Sequence, residues 1–222
     1  LVRYKSTTTE GYVSFEEYVS RMKSDQKNIY YITGTNEENL KNSPLLEMYA
    51  DKGIEVLVMD QEIDEIVIPS VNKYKDIDLK SVNYSDAADD LKTDEDKKSE
   101  DKIQPLVKKI SKVLGDQVKD VKISSRLKDS PSCIVADSND PTAKMQELMK
   151  AMGQPGNQDV KPILEINPSH AIIKKLSGMR KSKGFDDVSQ LLLDQAILLE
   201  GAKLTNPTAF VNRLNTILSK NL

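Results

Sequence analysis

The sequence has no tryptophan, one histidine (His170), one cysteine (Cys133) and three phenylalanines. One histidine and one cysteine cannot assemble a zinc site, which needs several such ligands. They leave a single Cys–His pairing to consider as nucleophile and base. Cys133 lies in an apolar stretch with no basic neighbour and reads as a small buried hydrophobe. His170 falls at the junction Asn167-Pro168-Ser169-His170, between strand and helix signals, where capping or packing is the better reading. A lone cysteine forms no internal disulfide, which fits a reducing compartment, and a cytoplasmic location is expected. Glycine-rich phosphate loops of both common types are missing. Gly34, in Thr33-Gly34-Thr35-Asn36, marks a helix cap before it marks a phosphate cradle. No apolar run approaches the roughly 18–20 residues that cross a membrane, and there is no signal-peptide pattern. With 32 basic and 35 acidic residues, the charge of −3 excludes the clustered basic footprint of a nucleic-acid binder. An enzyme is not expected.

What is present divides in two. Residues 1–84 alternate strand and helix signals. Ser14 with Glu17 makes a capping box for a first helix carrying Tyr18 and Met22. The polar turn Ser24-Asp25-Gln26-Lys27 follows, and Ile29 to Ile32 read as a central strand closed by Gly34. Thr35 with Glu38 opens a second helix that Gly53 stops in a left-handed conformation. Ile54 to Met59 read as a strand and Ile63 to Val71 as a helix. This spacing predicts a small βαβ parallel-sheet layer, an α/β domain. Ser85 to Lys102 is acidic and nearly free of apolar residues, which predicts a solvated linker or exposed helix start at a domain boundary.

Residues 103–222 read as α+β, with strands early and helices late. Ile103, Val107, Ile110 and Leu114 give a helix ended by Gly115. Val118 to Ser124, Cys133 to Ala136 and Ile163 to Ile166 read as strands. Pro141 to Met152 is a helix with Met145, Leu148, Met149 and Met152 on one stripe. A methionine stripe can adapt to partners of different shape, although its spacing alone points first to an ordinary core face. The last two helices are apolar well beyond one stripe. Leu191, Leu192, Leu198 and Leu199 lie on the first. Phe210, Leu214, Ile217 and Leu218 lie on the second, which Asn206 caps with Pro207 at its first position. Two helices cannot cover that surface themselves. A twofold homodimer burying it in an intermolecular four-helix bundle is predicted.

Several strings, in order, resemble one family. They are EYVSRMK and IYYITG, Gly53-Ile54-Glu55-Val56-Leu57 with Ile63-Asp64-Glu65, Ser125-Arg126-Leu127-Lys128-Asp129-Ser130-Pro131, Lys150-Ala151-Met152-Gly153-Gln154, and Leu164-Glu165-Ile166-Asn167-Pro168. Together they resemble the ninety-kilodalton heat-shock chaperones, the HtpG family in bacteria. The resemblance implies that residues 1–84 are the distal part of the middle domain and 103–222 the C-terminal dimerisation domain, joined by the acidic linker 85–102. It implies that partly folded client proteins are held by Met145, Leu148, Met149 and Met152. A second client surface is implied at Glu65 and Ile66, where relatives commonly carry an aromatic in place of Ile66. ATP, magnesium and the ATPase site would belong to segments upstream of Leu1, so this stretch would carry no cofactor. The chain begins without Met, which points to a fragment, and ends Ser219-Lys220-Asn221-Leu222 without the acidic tail of cytosolic eukaryotic members, which implies a bacterial type. A dimeric scaffold or adaptor that binds one defined protein is the alternative.

Overall fold

The strand read from Ile29-Tyr30-Tyr31-Ile32 forms at the centre of a five-stranded sheet. The computed structural model describes residues 2–92, 94–153, 160–180 and 182–221. In order of appearance the first sheet comprises β1 (Lys5–Ser6), β2 (Ile29–Thr33), β3 (Leu57–Met59), β4 (Lys73–Tyr74) and β5 (Ile77–Ser81). Its spatial order is β1-β3-β2-β5-β4. β2 runs parallel to β3 and to β5, and the edge strands β1 and β4 are antiparallel to their neighbours. Every residue of β2 is buried. Tyr30 and Ile32 enter one core cluster, and Ile29 and Tyr31 another. Side chains alternate across a strand, so a strand covered on both faces reads as one apolar run.

Four helices serve this sheet: α1 (Phe15–Arg21), α2 (Glu37–Lys41), α3 (Glu47–Asp51) and α4 (Glu62–Val71). The Ser14–Glu17 capping box is present. The cap of α2 is Asn36, whose side chain accepts from the Asn39 amide at 3.0 Å, so the expected Thr35–Glu38 box is displaced by one residue. Asparagine serves that position at least as well as threonine. Gly53 closes α3 at φ +59°, where a side chain would be strained. The Tyr18 hydroxyl donates to the Glu55 carbonyl at 2.7 Å and accepts from the Tyr30 amide at 3.1 Å. It thereby fixes α1 against β2 and the approach to β3.

The second half contains α5 (Asp94–Leu114), β6 (Asp120–Ile123), β7 (Ser132–Val135), α6 (Ala143–Ala151), β8 (Ile163–Ile166), α7 (Ala171–Gly178), α8 (Lys183–Leu199) and α9 (Pro207–Asn221). Its three strands lie in the order β6-β8-β7, with β8 parallel to β6 and antiparallel to β7. Ile110, Leu114, Leu164, Ile166, Phe185 and Leu193 build its core. The helix expected from Pro141 begins at Ala143, because the Thr142 hydroxyl accepts from the Met145 amide and acts as the cap. The expected turn Gln154–Asn157 lies outside the described residues. Within the acidic stretch, Ala87 and Ala88 are buried, and Asp90 accepts from the Tyr30 hydroxyl at 2.5 Å and from Lys80 at 3.1 Å. From Asp94 the backbone of that stretch is helical; the side chains of residues 94–102 lie outside the described ones.

The two halves share a core in which Tyr30, Tyr49 and Val56 meet Leu127, Cys133 and Ile163. Backbone joins them too, since the Ser85 amide donates to the Ala136 carbonyl and the Ala136 amide to the Asn83 carbonyl, both at 2.9 Å. The strongest constraint is Arg126, which is 1% exposed. Its guanidinium donates to Glu165 through Nε at 3.0 Å and Nη2 at 3.3 Å. It also donates to the carbonyls of Val82 (2.7 Å), Tyr84 (3.0 Å) and Ser85 (3.3 Å). Beside it, Glu47 of α3 accepts from the amides of Lys128, Asp129 and Ser130. Arg126→Met should therefore lower the unfolding free energy by about 3–5 kcal/mol, because it strands a buried carboxylate. Adding Glu165→Leu should recover part of that loss, the three carbonyls remaining unpaired. Urea denaturation of the two variants measures both effects.

Candidate functional site

The sequence of α4 carries Ile63, Ile66, Val67, Ile68 and Val71, more apolar residues than one helix face can bury. Ile68 is the anchor, at 1% exposure. Ile63 (58%), Ile66 (39%), Val67 (43%) and Val71 (42%) stay in water. Glu65, expected on the surface with Ile66, is instead 4% exposed. Its carboxylate accepts from the Thr142 hydroxyl at 3.1 Å. The residue faces inward with Ile68, three positions on, and a client contact through Glu65 is thereby corrected to a structural role. Ile63, Val67 and Val71 lie exposed with Ile66, as the surplus of apolar residues on α4 requires.

Helix α6 lies beside α4. Lys144 forms ion pairs with Glu62 at 3.2 Å and with Glu147 at 3.6 Å, and the cap residue Thr142 reaches Glu65. No residue of α6 is buried. Met145, Leu148 and Met149 are half-buried, and Met152 is 64% exposed. The methionine stripe is therefore a wetted face carried on the same support as α4.

The last helical pair is uneven. Leu191 and Leu192, expected at a dimer interface, are 7% and 1% exposed within this chain. Helix α8 lies against β7, and the Ser132 hydroxyl donates to the Leu192 carbonyl at 2.9 Å. These two leucines are core, which is why α8 reads as apolar on nearly all sides. Leu198, Leu199, Val211 and Leu218 are 45–52% exposed, and Phe210, Leu214 and Ile217 are half-buried. Arg213 holds α9 to α8 through Asp194 at 3.2 Å. A groove of about 620 Å³, lined by Ile172, Met179, Val188, Leu214 and Ile217 among others, runs between α7, α8 and α9.

A smaller cavity of about 200 Å³ lies between β7, α6 and the end of α8, with Asn83 and Glu200 at its polar end. Asn83 donates to the Glu200 carboxylate at 3.1 Å. Burial, together with the nearby negative charge of Glu65, pushes the Glu200 carboxyl up to about 7 against the opposing Asn83 hydrogen bond. Elsewhere, His170 caps α7, its Nδ1 accepting from the Ile172 amide at 3.1 Å. Burial and the neighbouring Glu165 push the Cys133 thiol well up, which suits a packing residue and not a thiolate nucleophile. Among the described residues no group of side chains suits a metal ion, and no helix is long and apolar enough to cross a membrane.

Comparison with known proteins gives a consistent picture. The family described as Hsp90 protein matches residues 1–222. "Chaperone protein HtpG" of Treponema denticola is 49% identical, covering 99% of this chain and 36% of the relative. The protein of the same name from Treponema pallidum is 44% identical, with coverage of 99% and 36%. That of Sulfurovum sp. is 46% identical, with coverage of 100% and 36%. The chain thus spans about a third of the length of the curated relatives it matches.

The Glu200 environment makes stability depend on pH. Between the ordinary carboxyl value of 4.5 and about 7, the folded chain holds a proton that the unfolded chain has released. The stabilisation from that proton is complete below 4.5 and is lost as pH rises through about 7. Glu200→Gln should thus raise stability at pH 8 by on the order of 1–3 kcal/mol and leave it almost unchanged near pH 4.5. Urea titrations at the two pH values test this, and an equal difference at both would refute it.

Proposed function

As the chain belongs to the Hsp90 protein family, we propose that it is the distal middle and C-terminal portion of an HtpG-type chaperone, holding two subunits together and gripping partly folded clients. In this reading residues 1–84 and 103–222 are the two domains, with 85–102 between them. The cleft that hydrolyses ATP with magnesium lies upstream, and the site of action is the cytoplasm. The uncovered apolar helix faces carry the proposal. Ile63, Ile66, Val67 and Val71 on α4 and Met145, Leu148, Met149 and Met152 on α6 form the client surface. They combine area with adaptable side chains, which suits partners without a fixed shape.

Dimerisation is carried by Leu198, Leu199, Phe210, Val211, Leu214, Ile217 and Leu218. A twofold copy would cover these residues in a four-helix bundle, with the same patch meeting itself. Leu191 and Leu192 support that bundle from inside each chain. In the intact protein such a joint would let two ATP-driven arms close around a client.

Sedimentation at micromolar concentration should give a dimer of the 24.9 kDa chain. Leu199→Asp with Leu218→Asp should shift it to monomer, since each would place an unpaired charge in the bundle. A sedimenting monomer of the unmodified chain would end the dimer reading. For the client surface, Met149→Ser with Met152→Ser should weaken suppression of aggregation of a denatured test protein and leave the dimer intact. Unchanged suppression by this folded variant would remove α6 from the client surface.

A further inference from the structure

The cavity at the end of α8 has an unusual combination of walls and charge. Ile134, Pro141, Pro162 and Ile197 give it an apolar body. Its volume of about 200 Å³ exceeds the roughly 150 Å³ that accommodates benzene in an engineered apolar cavity. Its polar end is Glu200, whose Oε1 accepts from Asn83 and whose other oxygen receives no donor among the described residues. Asn83 is committed elsewhere: its Oδ1 accepts from the Thr33 amide and its Nδ2 donates to the Thr33 carbonyl. Lys161 also lines the cavity, but its ammonium is held by Asp116 at 3.2 Å. Among the described residues neither Glu200 nor Glu65 has a cationic partner. Above pH 7, where Glu200 is ionised, the site thus pairs an apolar wall with a carboxylate that has no cationic partner among the described residues.

We propose that this cavity binds a small primary ammonium with a compact apolar body, of the size of benzylammonium, with its charged head on the free oxygen of Glu200. The apolar body would replace empty space against Ile134 and Ile197, and the head would supply the cation that the carboxylate lacks. Desolvation of the carboxyl, with the nearby charge of Glu65, also raises its proton affinity. Because the cavity touches the cap of α6 and the α8–α9 turn, an occupant would brace both helices. The inference stands on the cavity alone and does not depend on the chaperone reading.

Amide chemical-shift titration of the isotope-labelled 222-residue chain at pH 8, where Glu200 is ionised, tests it, with benzylammonium as the probe and benzyl alcohol as its neutral counterpart. Benzylammonium should give saturable shifts at Ala143, Ile197 and Ala202 with a Kd of about 1 mM, as expected for so few atoms. Benzyl alcohol should bind at least about tenfold more weakly, and Glu200→Gln should weaken benzylammonium by a similar factor, as a charge-assisted hydrogen bond requires. No saturable shift at these amides would overturn the proposal. So would equal binding of the alcohol, or undiminished binding by the folded Glu200→Gln chain. Should that variant fail to fold, the comparison of amine and alcohol on the unmodified chain decides alone.

Discussion

One guanidinium determines how the two halves sit together. Arg126 is buried, and a charge there is tolerable only when it is paired and its donors are filled. Glu165, on the central strand β8, supplies the counter-charge, and the carbonyls of Val82, Tyr84 and Ser85 fill further donors. Those carbonyls belong to the segment leaving β5, so the first sheet is bound to the second through the same side chain. Ser124, whose hydroxyl donates to Glu165 at 2.7 Å, and Glu47, which accepts three amides of the next loop, hold the β6–β7 connection from both ends.

The distribution of apolar surface then becomes intelligible. The cores are filled, and the apolar residues left exposed on α4, α6, α8 and α9 are not covered by the described residues. Singly exposed leucines need no explanation, but runs of them along one helix do. The two surfaces differ in chemistry. The face on α6 is methionine-rich and hence adaptable, whereas the face on α8 and α9 is methionine-free and built mainly of leucine, which suits one fixed mate. That contrast is the physical basis for assigning them to different kinds of partner.

Much of this was legible in the residues. Ile29-Tyr30-Tyr31-Ile32 suits a central strand, Ser14 with Glu17 has the spacing of a capping box, and Asn167-Pro168-Ser169-His170 reads as a junction where capping or packing is expected. What periodicity cannot supply is the identity of the neighbour. Leu192 and Leu199 are both apolar residues of α8, yet the first is 1% exposed and the second 52%, because only the first meets a core of its own chain. Glu65 resembled a surface acid and is a buried acceptor, since its partner Thr142 lies 77 positions away. Arg126 and Glu165 were visible only as members of family strings, because a pair formed across 39 residues leaves no local pattern.

The inward turn of Glu65 links these observations. By accepting from Thr142, it fastens α4 to the cap of α6, so two wetted apolar faces from distant parts of the sequence share one support. Burial, and to a lesser degree the same carboxylate, raises the proton affinity of Glu200, which stands where α8 gives way to the turn before α9. A single acidic neighbourhood therefore touches the proposed client surface on one side and the root of the proposed dimer helices on the other. Asn83, Thr142 and Glu200 also line one cavity. Glu65 and Glu200 thus stand between the helices that carry the two exposed apolar faces.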